Sequence, residues 1–379
     1  VTSEHIIIST SKRGFDSPAP SYDAPVNAAN APLPDAAVLE AFDLEPASLT
    51  PARSGLINGT WHARSKRGRR LVLQRLNPIF PPGINADIDC VTRHLASRGI
   101  ATPRLVPTTT GELWIRRSGA TWRSLTEIDG VTRDALETPA QAGQAGNVLA
   151  AFHRAVADLD HRFSNARLGV HDTRAHLAAL RDSLERFRSH RHYAAIAALA
   201  AEVLAAAAEL PPLPPGPDRI VHGDPKVSNI VFERGTDRAV CLIDLDTLAR
   251  MPVALELGDA LRSWCHPGRE DAPSAAFSVP LFEAAVRGYA DAAGGWLTEP
   301  EWSAFADATL TITLELAARF CKDALAERYF GWDSRRYASA SEHNQARTRC
   351  QLMLAASIRQ ERVVLQAILE AAFAPQRIA

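Results

Sequence analysis

Apolar and polar positions change their period part-way along the chain, and the change separates a strand-rich stretch from a helix-rich one. GLINGTWHAR and RRLVLQRL flank a basic turn at Ser65-Lys66-Arg67-Gly68, which predicts a β-hairpin over residues 54–75. A helix over 81–98 ended by Gly99 follows, then strand-like pieces at 104–106, 113–116 and 121–128. A short helix over 35–44 fits between Pro34 and Pro46. After Gly130 the apolar spacing becomes helical, and helices are predicted over 141–159, 173–188, 193–210, 257–264, 279–292, 299–329 (where the pattern admits a break) and 342–372. Three short β-prone runs interrupt them: Arg219-Ile220-Val221, Ile230-Val231-Phe232 and Ala239-Val240-Cys241-Leu242-Ile243. Residues 9–35, rich in Ser, Pro, Ala, Asn and Asp, show little periodicity and predict an extended or disordered arm.

Composition narrows the partners more than the fold. The 379 residues suit two domains or one large bilobal one, and a 46% hydrophobic content fills substantial cores. With 42 basic and 43 acidic residues interspersed, no electrostatic footprint for nucleic acid exists, so a small-molecule partner is expected. Five scattered cysteines argue against a disulfide framework, and the histidines form no zinc pattern, with His190-Arg-His192 read as a helix-start turn. No apolar run reaches the length of a membrane span, and the polar start with Lys12 and Arg13 does not read as a signal peptide. No membrane association and a cytoplasmic location are therefore expected.

The chemistry is concentrated in HGDPKVSN (222–229) and LIDLDT (242–247). An aspartate in a short polar loop, an asparagine five positions on and a second aspartate at a strand end twenty positions on are the parts of a phosphoryl-transfer site. Asp224 is read as the general base, with Asn229 and Asp244 as oxygen donors to Mg²⁺. Lys226, two after the aspartate as in the H-R-D-x-K-x-x-N loop of protein kinases, is placed to neutralise charge on the transferring group. A turn-capping carboxylate is the plainer reading, and Pro225 suits a turn. Both halves at this separation argue against it.

Other segments are weaker alone. Gly55-Leu-Ile-Asn-Gly-Thr-Trp61 lies at a turn between strands, where Gly55, Asn58, Gly59 and Thr60 could cover ATP phosphates, although paired glycines by themselves signal only turn chemistry. Along LVLQRL (71–76) the alternation turns Gln74 toward the cleft or, one register over, Arg75; no lysine stands where kinases carry the phosphate-binding one. Asp87 or Asp89 on the next helix could supply an acidic partner, or both could sit on a solvated face. In ELGDALR (256–262) Gly258 permits close approach, and Asp259 is expected to support the catalytic loop through its backbone N–H groups. His153 reads as a hydrogen-bonded core histidine. Glu315, Arg319 and Lys322 share a helix face with Tyr329 and Trp332 beyond, as a surface ion-pair ladder or as contacts for a polyhydroxylated substrate.

HGDPKVSN with IDLDT resembles the aminoglycoside phosphotransferase and choline kinase superfamily. GLINGTW, LVLQRLNPIF, IDLDT, ELGDALR, ITLELAARF and EHNQARTR look closer to its N-acetylhexosamine 1-kinase branch, over about residues 54–350. The resemblance implies ATP and Mg²⁺ as cofactors, Asp224 as base, Asn229 and Asp244 as metal ligands, and the loop at 55–60 over ATP. Gln74-Arg75 looks like this branch's own pattern. Arg319 and Tyr329 fall where the branch places sugar contacts, and His222 is counted with them among the acceptor contacts. The loop departs from the branch in one respect, reading His-Gly-Asp where His-Asn-Asp is expected.

The expected architecture is α+β: a protein-kinase-like bilobal fold with a flexible arm at 1–35, a small mixed-sheet N-lobe at 36–126 and a helical C-lobe at 127–379, hinged at 127–130. The expected activity is ATP- and Mg²⁺-dependent phosphorylation of a small-molecule hydroxyl, foremost the anomeric hydroxyl of an N-acetylhexosamine. The alternatives are an amino-alcohol, homoserine-type or aminoglycoside kinase and, from another class, a nucleotide-binding pseudokinase acting through protein contacts.

Overall fold

The structure is a computed structural model that describes residues 32–52, 58–165 and 169–374. Most of the expected arm, and Gly55 in the expected phosphate loop, lie outside the described residues.

Helix α1 (Ala36–Ala41) starts where the Asp35 carboxylate accepts the Val38 N–H at 2.9 Å. It precedes β1 (Thr50–Pro51), β2 (Gly59–Arg64), β3 (Arg70–Arg75), α2 (Ile84–Ser97), β4 (Leu105–Val106), β5 (Ile115–Arg117) and β6 (Ala120–Thr126). The strands form a six-stranded sheet in the order β1-β2-β3-β6-β4, with β5 also on β6. Every pairing in it is antiparallel, so the sheet is not mixed as the sequence suggested. Alternation assigns its faces. Trp61, Ala63, Leu71, Leu73 and Trp122 pack under Val38, Leu39 and Phe42, with the two indoles 5.6 Å apart. Gln74 and Arg123, directly opposed across β3 and β6, point to the other side, whereas Arg75 shares the α1 face with Leu71 and Leu73.

The remainder is mostly helical: α3 (Pro139–Val156), α4 (Thr173–Arg186), α5 (Tyr193–Ala208), α6 (Val253–Trp264), α7 (Val279–Ala293), α8 (Glu299–Ser303), α9 (Phe305–Ala326) and α10 (Ala340–Phe373). The apolar pattern over 299–329 is thus broken: a Thr298–Glu301 capping box starts α8, and Glu327 at φ 50° ends α9. Two small ribbons cross this part, β7 (Asp218–Val221) with β10 (Ala249–Pro252) and β8 (Ile230–Phe232) with β9 (Ala239–Leu242). Among the described residues, no helix is long and apolar enough to cross a membrane.

One buried chain of polar groups fixes the helices to the segment between β7 and β8. Glu256 on α6 accepts the Gly223 N–H at 2.8 Å with one oxygen, and its other oxygen lies 2.5 Å from His153 Nε2 on α3. His153 Nδ1 in turn meets the Tyr289 hydroxyl of α7 at 2.8 Å. His153 is therefore the hydrogen-bonded core histidine expected. The loop support assigned to Asp259 belongs instead to Glu256, one helical turn earlier. Glu256→Ala is expected to destabilise the protein by about 3–5 kcal/mol, because it strands a buried histidine and a buried N–H, and Glu256→Gln by clearly less. Calorimetric unfolding of the two variants measures this.

Candidate active site

The loop after β7 turns through Gly223 at φ +85°, and a Cβ there would lie 2.1 Å from the Thr247 carbonyl oxygen. An asparagine between His222 and Asp224 would have no room in this loop. His222 is fully buried; its Nδ1 accepts the Asp224 N–H at 3.3 Å and its Nε2 donates to the Ile243 carbonyl at 2.9 Å. Burial lowers its pKa. His222 cannot touch an acceptor, so that expectation is corrected: the ring shapes the loop. Trp264 Nε1 holds the Pro225 carbonyl at 2.8 Å, and Ser263 Oγ accepts the Val227 N–H at 3.3 Å.

The loop brings the expected groups together. Lys226 Nζ contacts Asp224 Oδ2 directly. Asn229 Nδ2 donates to the Asp224 carbonyl at 2.8 Å and to Asp224 Oδ2 at 3.2 Å, which turns the amide oxygen away from these contacts. Ile243 N–H bonds the Asn229 carbonyl at 2.9 Å and so registers Asp244 beside the loop. Asp244 itself is left-handed, φ 66° and ψ 59°, a region aspartate tolerates better than most residues. Burial opposes the charge on Lys226, but Asp224, Asp244 and Asp259 outweigh it and raise its pKa.

Burial, then Asp246 and Asp224, push the Asp244 carboxyl up to about 6 against the pull of Lys226 and Arg123. Such a carboxyl is short of positive charge, and a divalent cation would supply it. Among the described residues no cluster of three His, Cys, Asp or Glu side chains is arranged for a metal. The donor set here, one carboxylate and one amide, would suit Mg²⁺.

The groups above the loop differ from expectation. Asp87 pairs with His161 at 2.8 Å and Asp89 with Arg93 at 2.7 Å, so neither reaches the cleft. The α2 residue facing the sheet is Asn85, whose Oδ1 accepts from Arg123 Nη1 at 3.2 Å. Arg123 also donates to Gln74 Oε1 from Nε (2.8 Å) and Nη2 (2.7 Å), and its Nη1 lies 2.6 Å from Asp246 Oδ1. Asn58 Nδ2 donates to Asp246 Oδ2 at 2.7 Å, and Thr60 Oγ1 accepts weakly from Gln74 at 3.4 Å. Arg75, on the opposite strand face, takes no part in this group. Arg123 and Asp246 were not singled out from the sequence; the available signal was an arginine at the inward position directly across from Gln74.

On the far side of the loop, α6 carries Asp259 and Arg262, joined at 2.9 Å, and Arg262 also approaches Glu270 at 3.6 Å. Gly258 allows this placement, since a Cβ there would come within 2.7 Å of the Ala308 backbone on α9. Glu315, buried on α9, accepts from Thr173 at 2.7 Å and meets His171 at 3.0 Å, with Arg319 at 4.0 Å. Burial works against charge on His171, yet Glu315 and Asp259 raise its pKa. Arg319 lies 5.9 Å over Tyr329 and 5.8 Å over Phe330. A cavity of about 750 Å³ between α4, α5 and β10 is lined by Leu177, Leu204, Met251 and Leu255 and reaches His171 and Thr173. Asp224, Asn229 and Asp244 are not in its wall.

The sequence matches the phosphotransferase enzyme family over residues 48–305, which includes the catalytic loop and the aspartate segment. The chain belongs to that family. This phosphotransferase acts on a small-molecule hydroxyl, with ATP and a divalent metal ion as cofactors. Its fold is similar to that of amicoumacin kinase hAmiN in complex with AMP-PNP, Ca²⁺ and Ami, at 13% identity and TM-score 0.58, covering 84% of this chain and 91% of that one. It is also similar to a microcompartment-associated aminopropanol kinase (13%, 0.57, 88% and 97%). An aminoglycoside phosphotransferase from Alicyclobacillus acidocaldarius gives 18%, 0.55, 87% and 97%. At such identities the likeness carries the fold.

Asp224→Asn should lower kcat at least about a hundredfold with little change in nucleotide affinity, since a positioned base contributes about 10²–10⁴. Steady-state kinetics with a nucleotide-binding titration checks this. Calorimetry should also show Asp244→Ala weakening Mg²⁺-ATP binding more than Asn229→Ala, because it removes a charged oxygen donor and not a neutral one.

Proposed function

We propose that this phosphotransferase is a cytoplasmic kinase that uses ATP and Mg²⁺ to phosphorylate the anomeric hydroxyl of an N-acetylhexosamine or a related sugar. In this reading a sheet-bearing lobe over 36–126 and a helical lobe over 127–379 meet at residues 127–130, where Arg70 bonds Glu127 at 2.9 Å and Asp129 at 3.1 Å. Asp224 takes the acceptor hydroxyl's proton. Lys226, already on the Asp224 carboxylate, steadies negative charge as the oxygen attacks. Asn229 and Asp244 would hold Mg²⁺, which would offset negative charge on the nucleotide phosphates. Gly55, Asn58, Gly59 and Thr60 cover the nucleotide, and the unpaired thiols among the described residues fit a reducing compartment.

The choice of a neutral acceptor rests on one observation. Every carboxylate named beside the loop on the acceptor side already has a cation: Asp259 and Glu270 share Arg262, and Glu315 has His171 and Arg319. A polycationic or amino-alcohol acceptor would meet the Arg319 guanidinium over these rings with no carboxylate free to offset it. A sugar needs hydrogen-bond donors and aromatic faces, which Arg319 beside Tyr329 and Phe330 supplies.

The product from an N-acetylhexosamine should be a sugar 1-phosphate whose phosphorus signal couples to the anomeric proton in NMR. Arg319→Ala and Tyr329→Phe should raise KM for the sugar and leave KM for ATP nearly unchanged. Phosphate found on an amino-alcohol oxygen or a ring hydroxyl would replace the sugar 1-kinase reading by one of its alternatives.

A further inference from the structure

The start of β2 and the metal-binding segment, far apart in sequence, are joined through a single carboxylate. Asp246, two residues after Asp244, gives one oxygen to Asn58 at 2.7 Å and the other to Arg123 at 2.6 Å. Both side chains of the ion pair are 2% exposed. Asn58 in turn uses its Oδ1 to accept the Asn77 N–H at 2.9 Å, just beyond β3. We propose that Arg123, Asp246 and Asn58 form a latch that ties the start of β2 to the metal-binding segment, with Arg123 as the positioning cation that β3 does not supply.

The charges support this division of labour. Gln74 stands on β3 where a lysine is missing, and its amide oxygen accepts twice from Arg123, which rises from the facing position on β6. Asn85 on α2 accepts a further bond. Both amides orient the guanidinium without neutralising it, so its countercharge is Asp246. A buried ion pair contributes little net stability unless its geometry is used, and here the geometry fixes Asn58 at the head of Gly59 and Thr60. The cation thus acts on the phosphates through the loop it positions.

The inference rests on the ATP-dependent reading of the site, but part of its test does not. In the nucleotide-free full chain, Arg123→Gln, Asp246→Asn and Asn58→Ala should each speed amide exchange at Asn77 by at least about tenfold, with α9 protection unchanged. By titration calorimetry, which needs no acceptor, each should weaken Mg²⁺-ATP binding at least about tenfold. The double variant Asn58→Ala/Asp246→Asn should bind no worse than the weaker single within about twofold, since both remove one contact. Adding Gln74→Lys to Arg123→Gln should recover at least about threefold of the affinity by returning a cation to the same space. Asn58→Ala removes no buried charge and carries the test if Arg123→Gln does not fold. Unchanged exchange at Asn77, additive losses in the double variant, or no recovery with Gln74→Lys would overturn the latch. If wild-type protein fails to bind Mg²⁺-ATP, the nucleotide reading fails, and exchange at Asn77 still decides whether the latch exists.

Discussion

A single buried carboxylate, that of Glu256, holds the catalytic loop in register with the helical core. Its two oxygens face different tasks: one caps the Gly223 N–H, the other meets His153, and through Tyr289 the chain extends to a third helix. Leaving any of these groups unpaired in a dry interior is costly, so the helices can pack only in the arrangement that satisfies all of them. The loop follows. Gly223 is forced against the Thr247 carbonyl, and the contact between Thr247 Oγ1 and the His222 carbonyl at 3.0 Å locks the aspartate segment to the base segment.

Opposite this rigid base, the sheet is attached by polarity as well as by apolar packing, since Leu105 and Leu125 belong to the core shared with the helices. Asn58, Arg123 and Asp246 meet in a buried setting where apolar side chains of similar volume would often be as stable. What the polar contact adds is direction, because the Asn58 amide donates to Asp246 along few lines, while Arg123 adds countercharge. Around α6 and α9, Asp259 and Glu270 share Arg262 while Glu315 meets His171 and Arg319, which leaves this region patterned in charge yet locally balanced.

Much of this was legible in the sequence, for identifiable reasons. The catalytic loop and IDLDT carry rare residue types at fixed separations, and the structure brings Asp224, Lys226, Asn229 and Asp244 together. Helix positions followed from apolar spacing, which also admitted a break within 299–329; the structure puts that break at Ala304. The errors share a cause. His222 and Asp259 were given roles, and Asp87 was offered one, from their chemistry, whereas their partners depend on packing between distant elements. Arg123 was passed over because an arginine in a strand reads as a surface residue unless the register with Gln74 is known. The assignment of Gln74 over Arg75 required the same register.

The contact at Gly258 bears on how this site could change over time. Because α6 touches the α9 backbone there, the helix bearing Asp259 and Arg262 and the helix bearing Glu315 and Arg319 form one block. A close-packed block of this kind does not tilt by degrees. If the acceptor is held as proposed, drift toward a new one would proceed by exchanging side chains on a fixed frame or by reshaping the connection after α9, where Tyr329 and Trp332 lie. Lineages diverging from such a protein would keep the two helices superimposable while the residues they present, and the segment that follows them, part company.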